Sequence, residues 1–410
     1  MFSIRSLFYF HSSIFIFISI FSLSNLPNKV FAETKELSSP NEIIINADPI
    51  GRPIQNFSTS ISVIPSGTLQ NQGSQQLQQS LSLSPNINSA GGSNTPRFFQ
   101  IRGIGELEQY EGAPNYSVGF FLDDIDLSGI GGVSMFDIHS LEILRGPQPT
   151  AYGANALAGI IHLNSGAFDD SQAARFSFGS DDLNNTGVAL LGSSSDGKTK
   201  ARMSLFRESQ NGFRSNDFLN RDDTNGRETS QGIFKLRHDF SNDSSIVLSL
   251  LNINTDNGYD AFTIDNSFQT ESDRPGIDSL NIIGTSARYT EVLSKDWKLT
   301  SITSFTGAKT DYSFDGDWGN NPFWGVNAPY DYSYESTRKR NAFWQDLRFT
   351  DNNADYKLGK DSRYLIAGYL NRFFEDSSNN NLQDNVSYDK LNSSYRATTA
   401  AIYAERETPL

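Results

Sequence analysis

The 410-residue chain contains no cysteine and only four histidines, His11, His139, His162 and His238. A disulfide scaffold and a thiolate metal site are therefore excluded. No two histidines stand at metal-ligand spacing, so zinc or iron chemistry has nothing to rest on, and neither metal nor cofactor is expected. Positive charge is also short: 33 Lys and Arg face 47 Asp and Glu, for a net charge of -14. That argues against nucleic acid as a partner, because binding phosphate needs a basic footprint. Beyond the first residues no stretch is long and apolar enough for a transmembrane helix, so any membrane contact must be made by strands. Aromatic residues are plentiful, at 12% of the chain with 30 Phe and 16 Tyr. With abundant Gly, Asn, Ser and Asp, they suit many strands joined by polar turns.

Residues 1–32 read as a secretory signal peptide. Arg5 supplies the positive start, residues 7–23 are apolar apart from His11 and serines, and Val30-Phe31-Ala32 offers a peptidase site. The apolar run is close to the ~18-residue spanning minimum, so an uncleaved anchor is the alternative; the Val-x-Ala site favours cleavage and export. A polar tether, residues 33–54, follows. It contains Glu42-Ile43-Ile44-Ile45-Asn46-Ala47 ahead of Asp48-Pro49. A short β-prone run in this setting can add to another protein's sheet edge, or be the first strand of the next domain.

Residues 55–166 read as a small α+β domain of alternating short strands and helices. Ile61-Ser62-Val63-Ile64 predicts a strand, and Leu69, Leu77 and Leu81 lie on a glutamine-rich helical segment. Phe98-Phe99-Gln100-Ile101 predicts a strand running into a turn at Arg102-Gly103. Residues 118–125 predict one further strand carrying Asp123-Asp124, and residues 136–147 a helical turn, a strand and a stop.

Five motifs in order carry a resemblance. They are Ile101-Arg102-Gly103; Asp123-Asp124; the run from Leu141 through Glu142, Arg145, Gly146 and Pro147 to Gln148; Tyr152-Gly153; and Asn155-Ala156-Leu157-Ala158-Gly159. Over the whole block they resemble the plug of TonB-dependent outer-membrane receptors. The chain departs from the family pattern at Pro149, where Gly usually precedes the Thr. Proline there fixes φ and removes a donor.

The resemblance implies a location in the outer membrane of a Gram-negative bacterium. Contact with outer-membrane lipid and lipopolysaccharide, and with the barrel-assembly machinery, goes with that location. It also implies that residues 42–47 form a TonB box, paired and pulled by the inner-membrane energy-coupling protein TonB. The implied cargo is a large scarce solute, a ferric siderophore or other iron complex, with cobalamin, haem or oligosaccharide as variants.

From residue 167 to 410 the pattern becomes two-residue alternation, as expected of antiparallel transmembrane β-barrel strands. Ten strands are predicted, near 172–179, 186–192, 198–209, 229–240, 244–255, 281–292, 297–311, 333–351, 362–375 and 396–407. Short connections such as 241–243 and 294–296 alternate with long ones at 210–228, 256–280, 312–332 and 376–395. That is the asymmetry of a barrel's two ends. A plug of this length has a diameter of about 35 Å. Ten strands close to a ring of only ~20 Å, whereas about twenty-two give ~44 Å. The barrel portion is thus expected to be about ten strands of an expected 22, truncated or a fragment, and a truncated receptor that binds without transporting is the alternative function.

For the cargo, the third long connection stands out, with Tyr312, Phe314, Trp318, Trp324 and Tyr330 among acids and glycines. These rings could stack on a planar or sugar-like ligand, or belong to an interfacial girdle and ordinary loop packing. The segment from Gly258 to Phe262 suggests no chemistry by itself. No enzyme is expected: Asp123-Asp124, read as strand neighbours, point to opposite faces and do not make a facing glycosidase pair.

Overall fold

Apolar runs in the first half and strict alternation in the second build two different kinds of sheet. The computed structural model describes residues 45, 47–48, 54, 59–71, 76–91, 95–108, 114, 116–148, 156–179, 182–325, 331–351 and 362–408. The signal peptide and most of the tether lie outside these residues. So do Pro149, Tyr152, Gly153, Asn155 and Tyr330.

The first sheet has β1 (Ser60–Pro65), then, past the short helices Ser66–Asn71 and Leu77–Leu81, a separate antiparallel hairpin of β2 (Ile87–Ala90) and β3 (Phe98–Ile101). It continues with β4 (Val118–Leu122), β5 (Ile125–Asp126), β6 (Ile138–Arg145) and β7 (Gly159–Ser165). Its spatial order is β1-β6-β7-β4-β5, with β4 and β7 parallel and the other pairs antiparallel. β4 is buried at every position and β6 nearly so, because both faces are covered. Phe120, Leu141, Ile143, Ile161 and Leu163 form the centre of the core.

Three local expectations need correction. The strand predicted over 118–125 is broken at Asp123-Asp124, where Asp123 takes φ +50° in a tight turn. An Asp tolerates that left-handed geometry better than most residues. Phe136-Asp137 is a turn with Asp137 at φ +57°, not a helical turn. β7, an apolar run in the middle of the sheet, is an additional strand; periodicity has no purchase on a strand buried on both faces.

The second sheet contains the ten predicted strands in order. They are β8 (Ala173–Phe178), β9 (Asn184–Ser193), β10 (Thr199–Gln210), then, after the two-residue β11 (Ser215–Asn216), β12 (Arg227–Asp239) and β13 (Ser244–Tyr259). After β14 (Gln269–Thr270) come β15 (Gly276–Val292), β16 (Trp297–Asp315), β17 (Tyr332–Asp351), β18 (Arg363–Gln383) and β19 (Val386–Glu407). The ten long strands pair antiparallel with their neighbours in an open sheet whose edges are β8 and β19. The later strands are longer than the 9–11 residues that a bilayer crossing needs.

One predicted connection is absent. Residues 376–395 are the tip of the β18–β19 hairpin, closed by Asp384-Asn385 with φ values of +50° and +64°. These are the left-handed values of a two-residue hairpin turn. Polarity suggested a loop, but the polar side chains are cross-strand partners: Ser377 Oγ lies 2.7 Å from Ser393 Oγ, and Ser394 Oγ donates to Asp376 at 2.6 Å.

Alternation sorts the wall into two faces. On β13, Ser249, Leu251, Ile253, Thr255 and Asn257 are buried while Leu248, Leu250 and Asn252 are exposed. On β10, Arg202, Ser204, Phe206 and Glu208 are buried and Leu205 and Arg207 exposed. The buried face is covered by the first domain, whose core runs on into Ile233, Leu251, Ile253, Leu280 and Ile282 of the wall. The opposite face shows Phe176, Leu190, Leu205, Leu250, Ile283 and Ile366 to the outside, an apolar surface suited to lipid.

The long connections 211–226 and 260–275 are tied together by one buried carboxylate. Asp260 Oδ2 accepts from Asn216 Nδ2 (2.8 Å), Thr224 Oγ1 (2.8 Å) and Thr270 Oγ1 (2.6 Å). The Gly258–Phe262 segment thus has a structural role that its sequence did not disclose. Asp260→Ala removes the acceptor these three donors share and should destabilise this loop pair by about 2 kcal/mol. Limited proteolysis of 211–226 in folded protein should accelerate accordingly.

Candidate functional site: the plug–wall interface and its outer mouth

The first domain meets the wall through charges of opposite sign. At the short-turn rim the domain supplies acids and the wall cations. Asp137 receives Arg202 Nη2 at 2.5 Å and Nε at 3.0 Å. Asp124 receives Arg288 Nε at 2.9 Å. Asp123 lies 3.7 Å from Lys235 Nζ and accepts from Ser165 N (3.0 Å) and Oγ (2.7 Å). Burial alone would raise the Asp124 carboxyl, but the Arg288 guanidinium outweighs it and holds the group below its usual value. Nearer the long connections the signs reverse: domain Arg97 pairs with wall Asp278, which also accepts from Thr95 N at 3.0 Å.

Halfway along, Arg340 of β17 joins both bodies. Its Nε and Nη2 donate to Glu375 Oε2 of β18 at 2.9 and 2.5 Å. Nη1 donates to the Ser128 carbonyl, and Nη2 to the Tyr116 hydroxyl. The guanidinium also lies 4.9 Å from the Tyr116 ring centre and 5.0 Å from that of Phe373. Burial pushes the Tyr116 hydroxyl up to about 12, against the pull of Arg340. It therefore stays protonated.

At two of the close approaches between the bodies, the wall has no side chain. A Cβ at Gly284 of β15 would sit 2.8 Å from Ile125 Cγ2, and one at Gly187 of β9 would sit 2.6 Å from the Phe136 ring. The link to β8 is clamped: Arg202 Nη1 and Nη2 donate to the carbonyls of Ala167 (3.2 Å), Asp170 (3.1 Å) and Ser171 (3.2 Å).

His139 Nδ1 lies 3.0 Å from both Asp170 oxygens beside this clamp, with Asp169 and Lys235 as further charged neighbours. The Asp170 hydrogen bond holds His139 above its usual 6.5. For Asp170, burial pushes upward, but the His139 and Ala167 hydrogen bonds hold the carboxyl below 3.8. The histidine's contribution is complete below 6.5 and fades as pH rises through its raised value. The aspartate's contribution is present above 3.8 and fades as pH falls through its lowered value. The link should therefore resist protease best in weakly acidic medium. His139→Ala should flatten the part of the pH dependence that lies above 6.5.

The motif residues divide by role. Arg102 and Gly103 lie in the turn after β3, at φ +55° and +79°. Glu142 is buried inside the domain and accepts from Asn164 Nδ2 at 2.8 Å and from Ala47 N at 2.8 Å. Arg145 is likewise buried rather than a solvated strand end, donating to Ser62 Oγ (2.9 Å), Ser84 Oγ (2.5 Å) and the Pro85 carbonyl (3.3 Å). Its burial, with Arg102 nearby, lowers its pKa. Ala156 and Gly159 are buried, Gly146 is half-buried, and Pro147 is exposed. Ile45 and Ala47 are buried among Phe121, Leu144, Ala156 and Ile160, and neither is in a strand.

At the mouth, Tyr312 and Phe314 stand on β16 rather than in a loop, on the face that carries buried Ser304 and Thr306. They point inward and are not a lipid-side girdle. Ring centres link Tyr259 to Tyr312 (5.3 Å), Tyr312 to Phe314 (5.9 Å) and Phe314 to Tyr334 (5.4 Å). Trp318 stacks on Phe262 at 5.3 Å and 11°. Trp324 instead packs on Phe323. Below the rings is a small cavity of about 60 Å³ bounded by Phe98, Arg97, Gly129, Tyr312, Tyr334 and Arg338. Tyr259, Phe262, Tyr334 and Arg338 went unseen in the sequence because they converge from separate strands and connections.

Comparison with known proteins agrees with this arrangement. The family model "TonB-dependent Receptor Plug Domain" matches residues 53–160. The vitamin B12 transporter BtuB of Vibrio vulnificus is 20% identical over 376 residues, 85% of this chain and 59% of the transporter. A pesticin receptor of Yersinia enterocolitica is 29% identical over 140 residues, 33% of this chain and 20% of that receptor. Among solved structures, the ferric yersiniabactin uptake receptor FyuA of Yersinia pestis superposes with a TM-score of 0.71 at 18% identity, covering 84% of this chain and 53% of the receptor. The chain thus spans little more than half the length of the transporter and of the solved receptor. The matched family is one of receptors, not of enzymes. Residues 53–160 thus match the plug domain of TonB-dependent receptors, and ten antiparallel wall strands with the fold of such receptors follow them.

Proposed function

We propose that this chain serves energy-coupled import of a large scarce solute across the outer membrane, with a ferric siderophore or other iron complex as cargo. The observation that carries this reading is the plug seated against the inward face of the wall by buried ion pairs, beneath an inward-facing aromatic mouth. In a closed barrel, a plug in that position would fill the pore, and displacing it would require work from outside. The mouth's rings and the arginine beside them suit a bulky ligand with planar, oxygen-rich groups. Likeness to the ferric yersiniabactin receptor supports iron over cobalamin, whereas the BtuB relative keeps cobalamin as the second reading.

The test is uptake of labelled ferric complexes and of cobalamin by a Gram-negative host that lacks its own receptors and expresses the protein. Iron uptake that vanishes without TonB supports the proposal. Uptake that persists without TonB overturns the coupling.

Residues 42–47 are the proposed TonB box. At Ile45 and Ala47 this segment is packed on the plug, so pairing with a partner strand requires it to leave that seat. Glu142→Ala removes the acceptor for the Ala47 N–H. The segment should then be freed more often, and a cysteine at position 45 should react with a hydrophilic maleimide several-fold faster than in the otherwise unaltered chain (about 1 kcal/mol). An unchanged rate would show that Glu142 does not hold it.

A further inference from the structure

The mouth holds one feature that import alone leaves unexplained. Asp315, the last residue of β16, is 5% exposed, yet its Oδ2 has no hydrogen-bond donor. Its Oδ1 accepts only weakly from Asp317 N, at 3.3 Å. The Asp317 carboxyl is within hydrogen-bonding reach of the Asp315 carboxyl, and its own buried Oδ1 also lacks a donor. Ser272, 2% exposed, brings its hydroxyl to Asp315 from connection 260–275. Asp273 and Asp331 add negative charge nearby. The neighbouring Arg274 is committed to Asp331 at 2.5 Å.

Two buried carboxylate oxygens without donors, on neighbouring carboxyls, are unfavourable unless something positive joins them. We propose that Asp315 and Asp317, with the Ser272 hydroxyl, form a binding site for a hard divalent cation of the calcium class. All the donors are oxygen, and they come from loop ends that can adjust, which suits calcium's loose geometry better than the strict octahedron of magnesium. Only two carboxylates converge, so water completes the shell and affinity falls at about 10⁻⁴–10⁻³ M, the range of extracellular calcium modules. In the sequence Asp315-Gly316-Asp317 alone does not mark the site, because the third ligand, Ser272, comes from a different connection.

The ion would fasten 260–275 to the start of the connection after β16, beside the stacked Phe262–Trp318 pair. It would do so whatever cargo the mouth receives.

The test uses the full chain in outer-membrane vesicles washed with a calcium chelator. Protease cleavage within 316–331 is followed as calcium chloride is added. At ten times the dissociation constant, cleavage should slow about tenfold. Equal magnesium should do much less, and chelator should reverse the effect. Asp315→Asn and, at the more exposed position, Asp317→Asn should each abolish the calcium effect. Terbium bound to the unaltered chain and excited through Trp318 should be displaced by calcium. Cleavage that follows pH but ignores calcium would mean the two carboxyls share a proton, and would overturn the proposal. So would calcium protection that survives in both variants.

Discussion

Replacing Arg340 by Met should release the plug from the wall more readily than any other single change in the mouth region. The substitution keeps the side chain's bulk but leaves Glu375 buried without its main cation, and leaves the Ser128 carbonyl and Tyr116 hydroxyl without their donor. Arg338, 4.0 Å from Glu375 Oε1, is too far to replace it fully. Breaking a buried pair from one side costs about 3–5 kcal/mol, because the remaining charge keeps its desolvation penalty. Urea titration followed by protease digestion of the released plug should show this loss. The double change Arg340→Met with Glu375→Gln should recover a large part of it, since no buried charge is then orphaned. A double variant as weak as the single one would place the importance of Arg340 in its contacts to Tyr116 and Ser128 instead.

Arg202→Ala should act at the opposite end with a comparable loss, about 3 kcal/mol. Asp137 would lose its partner inside a nearly closed site, and the carbonyls of residues 167, 170 and 171 would lose their common donor. Cleavage of the link between plug and β8 should rise about a hundredfold at that magnitude. The two variants are separable by fragment size: Arg202→Ala exposes the link, whereas Arg340→Met exposes the turns around Tyr116 and Ser128.

The ten wall strands were legible because half-buried strands must alternate, and each predicted centre lies within an observed strand. Their ends were less legible. β13, β15, β16 and β18 run further toward the long connections than alternation indicated, since polar residues there satisfy cross-strand partners rather than water. The 376–395 hairpin is the clearest instance. Its Asn, Ser and Asp residues have loop composition, and only the pairing of Asp376 with Ser394 and of Ser377 with Ser393 makes them a sheet. In the plug, ordered motifs gave the family. They did not reveal that Glu142 and Arg145 are interior while Asp123 and Asp124 face the wall's cations. Those partners, Lys235 and Arg288, are more than a hundred residues away in the chain, beyond anything local pattern can report. The aromatic mouth was half seen: β16 gave Tyr312 and Phe314, but Tyr259, Phe262 and Tyr334 join them only through the register of four strands.

The plug lies against the inner face of the wall, and the absence of cysteine makes that placement directly measurable. A Cβ at Gly284 would lie 2.8 Å from Ile125 Cγ2 and 3.2 Å from its Cδ1. Cysteines at both positions would then bring their Cβ atoms within about 4 Å, the separation a disulfide needs. Mild oxidation of Ile125→Cys, Gly284→Cys protein in outer-membrane vesicles should close this bridge almost completely, seen as a shift in gel mobility that reductant reverses. If both thiols remain free under oxidant, yet react fully with maleimide once the protein is denatured, the plug does not sit where its charges and core place it.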